Sequence, residues 1–138
     1  KEVVFIGLSD DISITKMEYV LKHVKEPQKV TSLLGKTSLQ DINDLCKKSK
    51  LFIGVDSGPS HLAYLSATKV ITIFITVKPA LRLPKIDLKN IKAIYPFPAP
   101  KQSLFDGLGP VRNDISQKYI NNIRYSDIVI AIDSLINN

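Results

Sequence analysis

The 138 residues are 44% hydrophobic, enough for one compact core and too few for two well-buried domains, so a single domain over residues 1–138 is expected. Nineteen Lys and Arg against thirteen Asp and Glu give a net charge of +6, but the basic residues are scattered from Lys1 to Arg124 with no run resembling a nucleic-acid arm. One cysteine, Cys46, excludes an internal disulfide and a cysteine-based zinc site, and no apolar stretch is long enough to span a bilayer.

Glu2 to Gly7 is a short apolar run ended by glycine and reads as the first strand. A polar turn, Leu8 to Asp11, leads to a helix expected from about Ser13 to Val24, where Ile14, Met17, Val20, Leu21 and Val24 make one apolar face. Pro27 stops that helix, and Lys29 to Leu33 supplies a second strand. Ser38 with Asp41 three residues later has the form of a capping box for a helix from Leu39 to about Lys48, with Leu39, Ile42, Leu45 and Cys46 as its inward stripe.

Leu51 to Val55 is the third strand, and a helix follows it to about Ala67. Val70 to Ile75 is a fourth strand, apolar on both faces as a central parallel strand should be. The order β-α-β-α-β-α-β calls for an α/β fold, a Rossmann-like parallel sheet with helices on both faces. From Thr76 to Pro110 six prolines prevent long elements, although Ile91 to Tyr95 has the character of a short fifth strand. Helices from about Asp114 to Asn122, and from a Ser126 cap through Ile136, close the chain.

The chemistry is expected where the third strand meets its helix, in Lys50 to Ala67, KLFIGVDSGPSHLAYLSA. Ligands of open α/β sheets bind beyond the carboxyl ends of the strands, and a helix start there offers backbone N–H groups to a phosphate. Asp56 can accept hydrogen bonds from a ligand hydroxyl or cap the helix. Ser57 and Gly58 can present a hydroxyl and an amide to a diphosphate, or with Pro59 simply begin the helix. His61, in the first turn, can stabilise negative charge on a leaving group, whereas His23 in the first helix has no such setting.

Lys36, Thr37 and Ser38 follow the second strand and are candidates for the base, ribose or phosphate, although Ser38 suits a cap better. They form no Walker loop, because the Gly-x-x-x-x-Gly-Lys spacing is absent. Asp10, between Ser9 and Asp11, follows the first strand and is a weaker ribose candidate beside the plain reading of a solvated turn.

The span LLGKTSLQDINDLCKKSKLFIGVDSGPSHLAYLSATKVITIF resembles the C-terminal domain of the family 9 glycosyltransferases, the lipopolysaccharide heptosyltransferases and their relatives. The motifs that carry the resemblance are Gly-Lys-Thr-Ser-Leu, a helix, an apolar strand, Asp-Ser-Gly-Pro-x-His-Leu-Ala and a strand ending in Phe74. What it implies is one half of a two-domain GT-B enzyme, holding an ADP-heptose-like nucleotide-sugar donor for inverting transfer to a saccharide or lipid-linked saccharide acceptor. Neither a metal nor a cofactor is implied, and the catalytic base belongs to the N-terminal half of such enzymes.

The resemblance assigns Asp56, Ser57, Gly58 and His61 to the diphosphate side of the donor, and Thr37 with Lys36 to the nucleoside. After Phe74 the sequence departs from the family pattern Gly-Pro-Thr-x-Pro and runs Ile75 to Arg82 instead, so Lys78 or Arg82 is expected to supply charge opposite the sugar phosphate. The implied location is cytoplasmic, with peripheral contact at the inner membrane face. Opening on Lys1 with strand-like sequence fits a piece of a longer enzyme, its N-terminal domain missing; a noncatalytic nucleotide- or partner-binding module is the alternative.

Overall fold

A computed structural model of the protein describes residues 2–75, 77–99 and 119–137. The chain divides into two compact units, Lys1–Asp44 and Leu45–Asn138.

In the first unit β1 (Val3–Phe5) and β2 (Val30–Ser32) pair in parallel, Val4 opposite Thr31. The ladder runs on past both strands, because the Leu33 and Gly35 amides donate to the carbonyls of Phe5 and Gly7. Gly35 has φ +67°, and a Cβ on it would lie 2.5 Å from the Ser9 hydroxyl oxygen, so both conformation and space demand glycine there. Helix α1 (Asp11–His23) starts two residues before the expected Ser13, because the Asp10 carboxylate accepts from the Ser13 amide at 2.7 Å and caps it. Met17 carries its apolar face into the core, while Ile14 stays exposed.

Helix α2 (Leu39–Lys48) opens on the expected capping box: the Ser38 amide donates to Asp41 Oδ2 at 2.8 Å, and the Asp41 amide donates to Ser38 Oγ at 3.2 Å. Ile42 and Cys46 form its buried stripe. Leu39, expected to join them, is 70% exposed, since as the first helical residue it has no preceding turn to pack beneath. Burial pushes the Cys46 thiol above its ordinary pKa, as suits a core side chain.

The second unit holds β3 (Leu51–Val55), α3 (Gly58–Leu65), β4 (Lys69–Ile73), β5 (Ile91–Ile94) and α4 (Tyr125–Ile136). Its sheet has the order β3-β4-β5, all parallel, with Ile53 opposite Ile71 and Ile71 opposite Lys92. Ile71 and Ile94 pack against Ala131 and Leu135 of α4. Val70 and Thr72, alternating with Ile71, face the other way, where the Tyr64 hydroxyl of α3 donates to Thr72 Oγ1 at 2.8 Å. Helices therefore cover both faces of this sheet. Val70 and Ile71 are fully buried, each contributing about 1.5–3 kcal/mol of burial.

The α/β class with parallel strands is as the alternation of elements predicts, and β5 forms where a fifth strand was expected. Backbone pairing divides the strands into two sheets, of two and three strands, rather than one continuous sheet. The last helix starts at Tyr125 and not from a Ser126 cap. Arg124 occupies the cap position, and its guanidinium grips both carboxylate oxygens of Asp127 at 2.9 and 3.1 Å, which holds that acid in the first turn. The helix expected over Asp114 to Asn122 lies largely outside the described residues.

Candidate functional site

The site grows from the end of β3. The Asp56 amide donates to the Ile73 carbonyl at 3.3 Å, extending the pairing with β4 by one residue and setting the Asp56 carboxylate at the carboxyl edge of the sheet. Ser57 then takes the cap position of α3, yet its hydroxyl donates backward to the Val55 carbonyl at 3.1 Å and caps nothing. The fully buried Ser60 donates to the same carbonyl, so two hydroxyls tie the first helical turn to the strand end. Gly54 makes room for this, since a Cβ there would lie 2.7 Å from Phe52 Cε1 and 3.2 Å from Ser60 Oγ.

An imidazole and a guanidinium flank Asp56. His61 Nε2 lies 3.6 Å from Oδ1, and Arg82 Nε lies 3.6 Å from Oδ2 of a carboxylate that is only 21% exposed. At that separation both contacts are electrostatic rather than hydrogen-bonded, and the imidazole contributes its share when protonated. The His61 ring stands edge-on to Tyr64 with centroids 5.5 Å apart, which limits its orientation. Arg82 arrives from the segment that replaces the family's glycine loop. Pro79–Leu81 forms a single 3-10 turn, and the Arg82 and Leu83 amides both bond the Pro79 carbonyl. Of the two cations expected from that segment, Arg82 is the one beside Asp56.

The start of α3 is left open. Among the described residues no side chain caps it, Pro59 has no N–H, and the Ser60 and His61 amides both turn back to the Ser57 carbonyl. The Gly58 amide is thus the first-turn donor without a bond among the described residues, fewer than the several amides the sequence suggested. A Cβ built on Gly58 would meet no atom of the described residues within 4 Å, so their packing does not require glycine there and leaves space above it.

Asp56, Ser57, Gly58 and His61 are therefore brought together as expected, with Arg82 joining them. Ser60 was not singled out by sequence; the signal available was Gly54, a small residue inside an apolar strand, which marks a close approach by a neighbouring element. The other candidates belong to the first unit. Asp10 caps α1, and the Ser13 amide holds its carboxyl below the usual carboxylate range. Ser38 caps α2, and its hydroxyl and amide do the same for Asp41. Lys36 is exposed and its amide closes a turn onto the Leu33 carbonyl, while Thr37 is half-buried. Among the described residues no group of three or more His, Cys, Asp or Glu is placed to hold a metal ion, and no helix is long and apolar enough to cross a membrane.

A carboxylate between an imidazole and a guanidinium, beside an open helix start, can hold a hydroxylated group with the acid and an anionic one with the cations and the amide. The chain is 33% identical over 72 residues to the lipopolysaccharide core heptosyltransferase OpsX of Haemophilus influenzae, covering 52% of this chain and 21% of that relative. It is 29% identical over 113 residues to lipopolysaccharide heptosyltransferase 3 of Escherichia coli K12, covering 80% of this chain and 30% of that relative. The chain thus spans between a fifth and a third of the length of these relatives. No solved structure gives a significant match. The model of glycosyltransferase family 9 (heptosyltransferase) matches residues 1–94, which take in β1 to β5 and the whole Asp56 site, and the chain belongs to that family.

Proposed function

We propose that this chain is the donor-binding part of an inverting, metal-independent glycosyltransferase of the GT-B type, folding as one Rossmann-like nucleotide-sugar-binding domain. The donor is an ADP-linked, heptose-like sugar and the acceptor a lipopolysaccharide saccharide, a reading supported by the names of the relatives. The reaction takes place in the cytoplasm, and its catalytic base comes from a second, N-terminal domain.

The observation that carries the reading is the uncapped start of α3, with its open space over Gly58, next to the Asp56–His61–Arg82 cluster. The Gly58 amide and the Arg82 guanidinium receive the diphosphate. His61 donates through its ring to the phosphate that leaves, and Asp56 accepts from a sugar hydroxyl. As the glycosidic bond to the nucleotide breaks, charge builds on the departing phosphate, and these fixed donors stabilise it where it forms. Within the first unit, Lys36 and Thr37 are assigned to the nucleoside by the family resemblance.

Calorimetric titration of the chain with ADP, UDP, GDP and CDP tests this. The expected result is selective binding of ADP, weakened at least roughly tenfold in Arg82→Ala and His61→Ala, each a loss of contacts to the diphosphate. Alanine at Lys36 and at Thr37 checks the nucleoside assignment separately. A folded sample that binds none of the four nucleotides would overturn the reading in favour of a noncatalytic module.

A further inference from the structure

No hydrogen bond fixes the ring of His61. Among the described residues neither ring nitrogen has a hydrogen-bond partner, and Nε2 stands 3.6 Å from Asp56 Oδ1, beyond bonding distance. The side chain is 48% exposed, so packing encloses only part of it. An imidazole in that situation turns about its last torsion, whose wells are broad, unless a neighbour stops it.

That neighbour is Tyr64. The two residues lie three apart on α3 and so share one face of the helix. A long helical side chain leans toward the amino end of its helix, which brings the Tyr64 ring back toward His61. The rings meet at 88° with centroids 5.5 Å apart. Tyr64 cannot follow a turning imidazole, because it is 6% exposed and its hydroxyl donates at 2.8 Å to Oγ1 of the fully buried Thr72 on β4. Burial pushes the Tyr64 hydroxyl above its ordinary pKa, so the phenol keeps the proton that bonds Thr72. His23 is held differently: its ring stacks on Tyr19, and its Nδ1 lies 2.7 Å from the Tyr19 carbonyl oxygen.

We propose, resting on the donor-site reading above, that Tyr64 is a positioning residue for His61: anchored on Thr72, it holds the imidazole at one angle beside Asp56, aimed at the phosphate of the nucleotide. A donor aimed in advance needs no reorganisation as charge develops on that phosphate, and its aim depends on a supporting residue that is itself locked. Thr72, Tyr64 and His61 thus pass the rigidity of the central strand to a half-exposed side chain.

The test has two arms. The chain has two histidines, so the ring signals of His61 and His23 are separable by NMR, with His23→Ala giving the assignment. Carbon relaxation of the His61 ring in the ligand-free chain is expected to give an order parameter near the rigid-backbone value of about 0.85, falling below about 0.6 in Tyr64→Leu while His23 is unchanged. Tyr64→Phe keeps the ring and loses the bond to Thr72, and its value should fall between. In the second arm, titration with ADP, Tyr64→Leu should weaken binding roughly tenfold and Tyr64→Phe roughly threefold. Neither should weaken it further when combined with His61→Ala, because a residue that acts through His61 then has nothing to act on.

A His61 ring equally rigid in the unmodified chain and in Tyr64→Leu would overturn the proposal. So would a loss of affinity that persists in full when Tyr64→Leu is combined with His61→Ala, which marks a residue that supports the fold and not the imidazole. If circular dichroism shows Tyr64→Leu to be unfolded, Tyr64→Phe carries the same two measurements. If the unmodified chain binds no ADP, the donor-site reading fails separately, and the relaxation arm alone decides whether Tyr64 holds His61.

Discussion

At the start of α2 the Ser38 hydroxyl and the Asp41 carboxylate each answer the other residue's amide, whereas at the start of α3 the Ser57 hydroxyl turns away to a strand carbonyl and no side chain takes its place. Both helices begin with a serine in the cap position, so residue type alone does not separate them. What separates them is the neighbourhood: a carboxylate three residues on in one, and a proline with a buried serine in the other. The first helix start is closed for stability. The second is held from behind by Ser60 and left open in front, which is the arrangement an anionic ligand requires.

Substitutions can break this contrast, and the largest effect should come from Gly54→Ala. The added methyl would meet the Phe52 ring and Ser60, displacing the hydroxyl that anchors α3; a loss of about 1–3 kcal/mol in denaturant unfolding is expected, together with weaker nucleotide binding. Ser38→Ala should cost about 1 kcal/mol by removing the cap of α2 while leaving nucleotide affinity unchanged. An affinity loss in that variant would show Ser38 to be a ligand as well.

The closed start also has a pH signature. Ser38 holds the Asp41 carboxyl below the usual carboxylate range in the folded state, so folding gains from ionised Asp41. That gain is complete above about pH 4–5, where the unfolded carboxyl is also ionised, and disappears as pH falls through the lowered folded value. Asp41→Asn should flatten that part of the acid unfolding curve.

Closing the open start is the complementary change. Ser57→Asp should stabilise α3 by about 0.5 kcal/mol as a cap and an acid at a helix start, and should weaken diphosphate binding at least roughly tenfold through repulsion. The smallest stability effect, within about 0.5 kcal/mol, is expected for Gly58→Ala, because its methyl points into open space. A clear loss of nucleotide affinity in that variant would show that the space belongs to the ligand.

Much of this was legible in the sequence because it rests on local chemistry. The capping box of α2, the parallel α/β alternation, the buried Cys46 and the cluster of Asp56, Ser57, Gly58 and His61 all follow from short-range spacing. Arg82 was visible only as one of two cations after Phe74; which one reaches Asp56 depends on the 3-10 turn at Pro79, a detail of backbone path. Ser60 escaped because a serine in a first turn looks like a cap neighbour, and its burial depends on Gly54, six residues earlier. The division of the strands into two sheets was illegible for a similar reason. Strand pairing is a long-range property, and apolar runs in β1 and β3 look alike whether or not a partner lies alongside.

The buried position of Cys46 has a practical consequence. Because it is the only thiol in the chain and lies 2% exposed on the inward face of α2, a thiol-labelling reagent can reach it only when that helix opens. The labelling rate, followed against reagent concentration, therefore reads the free energy of that one opening event with no introduced probe, and reports on the link between α2 and the strand that leads to Asp56.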